Sequence, residues 1–142
     1  MSLSLFAALF FTVALLVTTA YFLLGSVPLL LLKHDTPMDG KFVRGFFDVY
    51  YKAAFVSAGG TAISYAFAGR PLFAAGAAAL VLVAIFLRGK ILGRMDAYRA
   101  QIPAGDAYAI PGFRKTHVTA ILLNLGQLVA IVWSLIAASR PA

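Results

Sequence analysis

The chain carries two histidines, His34 and His117, five acids that are all aspartate (Asp35, Asp39, Asp48, Asp96 and Asp106), and no cysteine. The missing thiol removes disulfides, thiolate metal sites and cysteine nucleophiles from consideration. For acid–base work His117 is the best candidate. An imidazole titrates near physiological pH, and the adjoining Arg114 and Lys115 favour its neutral, basic form. Asn124 follows two helical turns later on the same face. A catalytic group of His117, Arg114 and Asn124 would suit proton abstraction from a lipophilic molecule arriving through a bilayer. No Gly-rich phosphate loop, serine-nucleophile elbow or paired-carboxylate motif accompanies it.

His34 and His117 also stand at corresponding ends of apolar runs, one after the first run and the other before the last. Opposite-running helices would bring them together as two cofactor-binding residues, the axial ligands of a b-type haem. Against this, Asp35 and Pro37 give His34 a loop-like setting, whereas haem ligands usually project from helices. For a metal ion, the histidines with Asp35, Asp39, Asp96 or Asp106 supply ligand types but no diagnostic spacing such as His-Glu-x-x-His, so no metal site is assigned. Arg44, Asp48 and Lys52 recur at every fourth position, which stacks plus, minus and plus on one helical face. That face reads as an interfacial salt ladder with snorkelling stems, or as a site for an anionic substrate or headgroup. His117, Ala120, Asn124, Gln127, Ile131 and Ser134 share one face of a helix, polar in its first half. Asn and Gln are costly in hydrocarbon without partners, so this face should point into a bundle or a hydrated cleft. Interhelical hydrogen bonding is the simpler use of it, and ligand or proton handling the other.

The elements that must position these residues are apolar. The chain of 142 residues is 62% hydrophobic and 12% charged, too apolar for a soluble domain of that length. All of its Lys and Arg residues except Arg70 and Arg140 fall within Lys33 to Lys52 and Arg88 to Lys115. The runs between them are each long enough to enter a bilayer, which needs about 20 apolar residues. The spacing predicts a single domain, 1–142, with spans near 3–32, 44–69, 71–95 and 115–138. Met1 to Leu32 lacks the basic start of a signal peptide and reads as a retained span. Pro28 marks a kink or an exit near its end. Gly69-Arg70-Pro71 predicts a tight hairpin between spans two and three, and Ser57, Thr61, Ser64, Gly59-Gly60 and Gly76 read as a packing surface between them. Pro103, Gly105, Pro111 and Gly112 predict an irregular loop before the last span. Basic residues on the two larger loops orient the chain N-out and C-out, and the same rule accounts for the net charge of +7 without nucleic acid.

The sequence Arg94-Met95-Asp96 with Arg99 before a loop, then Phe113-Arg114-Lys115-Thr116-His117 opening an apolar span with Asn124-Leu125, resembles small four-span bacterial membrane families of unknown function. One neighbouring group contains the anthrone-oxygenase-like proteins. The resemblance implies that His117 and Arg114 match that family's histidine and basic positions. Membership of the anthrone-oxygenase-like group would imply cofactor-independent oxygenation of a phenolic or polyketide-like molecule. Two other families depart from this chain. The bacterial four-span protoporphyrinogen oxidases carry a histidine in their first span, where none lies here between Met1 and Lys33. The membrane glutathione transferases use a glutamate, which this chain lacks.

Taken together, the residues predict an all-α, four-helix transmembrane bundle of the bacterial inner membrane. Its expected role is non-enzymatic, as an accessory subunit of an inner-membrane assembly or a homo-oligomer. The alternative is a small membrane enzyme or a haem- or metal-binding protein that uses the cytoplasmic-side cluster of His34, Asp35, Arg44, Asp48, Arg94, Asp96, Arg114, His117 and Asn124. Expected partners are the lipid bilayer and other membrane subunits or further copies of the chain.

Overall fold

A serine ahead of an apolar run starts the first helix: the Ser2 hydroxyl accepts the Leu5 amide at 3.2 Å and caps α1, Leu3–Leu29. The computed structural model describes residues 2–32, 37–103 and 108–139. Inside α1 the hydroxyls of Thr12, Thr18 and Thr19 donate to the carbonyls of Ala8, Ala14 and Leu15 at 2.7, 2.7 and 2.8 Å. Satisfied on their own helix, they tolerate apolar surroundings. Pro28 has no amide to continue the ladder, and α1 ends one residue later. Leu30, Leu31 and Leu32 then turn back onto the carbonyls three residues behind them, at 3.1, 3.0 and 3.2 Å. Pro28 therefore marks an exit.

Helix α2, Pro37–Phe67, and helix α3, Pro71–Leu87, form the expected hairpin. Gly69 sits at φ +71°, its amide on the Ala66 carbonyl at 3.2 Å, while the Arg70 amide reaches back to Tyr65 at 2.9 Å. This pair of bonds is a Schellman close, which favours glycine at the left-handed position. Pro71 then suits the first turn of α3, where its missing amide would have had no partner. Tyr65 stacks on Phe73 across the turn, with ring centroids 5.3 Å apart. Lower in α1 and α2, Gly60 lets Phe11 approach: a side chain there would meet the phenyl ring at 2.5 Å.

Beyond α3 a π-helical turn, Arg88–Leu92, leads into α4, Gly93–Gln101, so that Pro71–Gln101 forms one helix of 31 residues. The last helix, α5, is Ala109–Ser139. Pro111 and Gly112, expected to break regularity before it, lie inside its first turn. A proline is harmless there because the first amides of a helix have no intrahelical acceptor. Gly112 is needed for packing, since any side chain would collide with the Tyr98 ring of α4.

Every regular element among the described residues is helical. Helix α2 lies between α1 and α3, α1 also meets α5, and α4 folds back on α5. The buried core includes Val43 and Phe47 of α2, Met95 of α4 and Phe113 of α5, all fully buried, together with Phe22 of α1 and Tyr51 of α2. Three helices, Leu3–Leu29, Pro71–Gln101 and Ala109–Ser139, are long and apolar enough to cross a membrane. Their outward faces expose Phe6, Phe10, Leu82, Phe86, Leu122 and Trp133, a surface suited to lipid. The chain is a membrane protein on these grounds. Helix α2 falls short of the same threshold. It carries Lys41, Arg44, Asp48 and Lys52 in its first half and Ser57, Gly59, Gly60, Thr61 and Ser64 in its second.

Candidate functional site

The end of α1 is where the polar residues of α5 converge. Leu30 turns its amide to Val27, so the Ser26 carbonyl is left without the amide four residues ahead. His117, fully buried on α5, places Nε2 2.9 Å from that oxygen. The Phe47 ring of α2 stands edge-on to the imidazole, 5.0 Å away between centroids. Three residues earlier on α5, Arg114 donates through Nη1 to the Leu32 carbonyl at 2.6 Å and through Nη2 to the Leu30 carbonyl at 2.7 Å. A guanidinium on the last carbonyls of a helix is favoured by the helix dipole. His117 and Arg114 thus cap α1 from another helix.

Two to three turns deeper, the buried Tyr50 hydroxyl of α2 donates to Asn124 Oδ1 and shares its proton with Gln127 Oε1 at 3.2 Å. The face expected on α5 is real: His117, Ala120, Asn124 and Ile131 are buried, and Gln127 and Ser134 half-buried. Ser134 satisfies itself on the Ala130 carbonyl at 2.8 Å. Beneath Tyr50 a cavity of about 10 Å³ lies between Thr19, Tyr50 and Gln127 on a floor of Leu80, Ala84 and Ile131.

The charged face of α2 differs from the expected ladder. Lys52 does pair with Asp48, at 2.8 Å. Arg44, however, turns to α4 and grips Asp96 through Nε at 3.1 Å and Nη2 at 3.4 Å. Asp48 accepts Arg88 instead, at 3.1 Å from Nε and 2.8 Å from Nη2. Asp96 also has Arg99 on its own helix at 3.5 Å. Residues that look like one helix's private ladder are shared between two helices. The sequence distance between partners, not their type, hides this arrangement.

The π turn makes the sharing possible. The step from Arg88 to Asp96 would leave the two side chains about 80° apart on an uninterrupted α-helix. The extra residue of a π turn absorbs about 100°, returning both to nearly one face. Arg94 does not join this clamp. It lines a cavity of about 350 Å³ between α4 and α5 with Tyr98, Gln101, Lys115 and Thr119.

A larger cavity, about 810 Å³, opens sideways between α1 and α2. Gly45, Val49 and Ala53 line it on α2 and Thr18 and Tyr21 on α1, the rings of Phe22, Phe46 and Tyr50 meet across its back, and Lys41 is among its lining residues. The sequence reading missed it. Its signal was present as the non-aromatic Gly45, Val49 and Ala53 at every fourth position of α2, between the aromatic pairs Phe46-Phe47 and Tyr50-Tyr51.

His34, Asp35 and Asp106 lie outside the described residues, so of the two imidazoles proposed for a haem only His117 is placed. Among the described residues no group of three or more His, Asp or Glu side chains could hold a metal ion. Asp39 stands in the first turn of α2. No protein-family model, characterised protein or solved structure matches the chain.

Proposed function

We propose that the chain is a four-helix transmembrane bundle, N-out and C-out, that works by association within a bacterial inner membrane. Its partners are further copies of itself or the subunits of a larger assembly. The observation that carries this reading is the engagement of the polar residues best suited to chemistry. His117 and Arg114 bond the carbonyl end of α1, and Asn124 and Gln127 bond Tyr50. Such interhelical bonds hold helices together where lipid supplies no hydrophobic driving force between them.

Helix α2 serves as the fourth span in this reading. It lies between α1 and α3, and its Ser57, Thr61 and Ser64 are buried, so lipid meets less of its polar surface than composition implies. The face offered for association is that of α3, which buries only Ala77 and Ala84 and turns Ala75, Gly76, Ala78 and Ala79 outward. Small residues let a partner helix approach closely. The bacterial inner membrane is drawn from the resemblance to small four-span bacterial families and from the basic residues gathered in two stretches of the chain.

Native mass spectrometry of the protein, extracted in mild detergent from its own membranes, tests the reading. The expected result is a homo-oligomer or a complex with foreign subunits. A monomer carrying haem, a metal ion or another stoichiometric non-lipid molecule would overturn it in favour of the enzyme or cofactor alternative.

A further inference from the structure

We infer that the lateral groove between α1 and α2 holds one anionic phospholipid, with an acyl chain along Gly45, Val49 and Ala53 and the phosphate at Lys41. The inference rests on α2 lying in the bilayer, as proposed above, and adds a ligand to it. Three observations carry it.

The first is shape. From Lys41 to Ala53 the groove follows α2 for about 18 Å, within the roughly 30 Å of a hydrocarbon core. Its volume of about 810 Å³ leaves room for extended hydrocarbon chains lying lengthwise between α1 and α2. The second is the floor. A side chain at Gly45 would meet nothing within 4 Å, so the groove is open at its centre. Its back is closed, since Phe22 of α1 and Phe46 of α2 stack at 5.6 Å between centroids. The third is charge. No acid lines the groove, and its one charged side chain is Lys41, which pairs with no carboxylate among the described residues. A lysine beside an apolar slot favours a lipid of net negative charge over a zwitterionic one, whose ammonium offsets its phosphate.

The full-length chain, reconstituted in vesicles of equal phosphatidylglycerol and phosphatidylcholine and then extracted, is weighed with its retained lipid by native mass spectrometry. One phospholipid per chain is expected, with about a fivefold preference for phosphatidylglycerol. Lys41→Gln should abolish the preference while leaving the groove. Gly45→Leu fills open space with a better helix former, so it should keep the fold and lose the lipid. Equal retention of both lipids by the parent chain, or undiminished retention by Gly45→Leu, overturns the inference. A Val49→Cys variant separates the two readings. Shielding of this cysteine from a water-soluble maleimide in sealed vesicles leaves the span reading standing even if lipid selection fails. Free labelling overturns both.

Discussion

His117 is fully buried with Nε2 against a backbone carbonyl, so truncating it removes a hydrogen bond and opens a cavity in one step. His117→Ala should lower unfolding free energy in detergent by about 2 to 4 kcal/mol. A denaturant titration followed by circular dichroism measures this, and a loss under about 0.5 kcal/mol would remove the structural role. Tyr50→Phe leaves two amide oxygens without their shared donor. It should cost about 0.6 kcal/mol, the average for interhelical hydrogen bonds in membranes, and at most about 1.7 kcal/mol, and the same titration reads it. Much of this was legible residue by residue. The shared face of His117, Asn124 and Gln127 follows from helical spacing alone. Their partners were not legible, because Ser26 offers a carbonyl only once Pro28 has ended its helix, and a backbone acceptor has no signature in side-chain sequence.

Between elements, the clamp of α2 on the α3–α4 helix depends on register. Arg44 with Asp96 and Asp48 with Arg88 place opposite charges in reversed order on the two antiparallel partners. Deleting Gly89 would remove the extra residue and leave a plain α-helix with seven steps from Arg88 to Asp96, about 20° apart, so both ion pairs should keep their faces. The chain has no native cysteine, so register can be read with an engineered cysteine pair and a flexible bis-maleimide. An Arg44→Cys, Asp96→Cys pair should cross-link in the parent background and in the Gly89 deletion alike. Cross-linking in the parent alone would contradict the account of the turn. The ion pairs themselves are partly exposed, so charge reversal at Asp96 should cost only about 0.5 to 1 kcal/mol, recovered when Arg44 is reversed with it. The hairpin at Gly69 was readable in advance because a positive-φ glycine followed by proline is a local signal. The start of α5 was misread because Pro111 and Gly112 break a helix in its middle but not in its first turn.

For the molecule as a whole, the gathering of Lys and Arg in two stretches and the apolar runs between them made the helical membrane character legible from composition. Cross-helix pairing and the lateral groove were not, since both arise from side chains brought together over long sequence separations. Helix α2 holds the account together: it supplies Tyr50, Arg44 and Asp48, and forms one wall of the groove. Its passage through the membrane decides whether the chain crosses four times or three. Single cysteines at Ser2 and Ser139, labelled with a membrane-impermeant maleimide in intact cells, count the crossings by parity. Four crossings with the proposed orientation predict that both termini label from outside, while a cysteine at Gln101 labels only after permeabilisation. Labelling of Ser2→Cys and Ser139→Cys from opposite sides would mean an odd number of spans and would contradict the bundle.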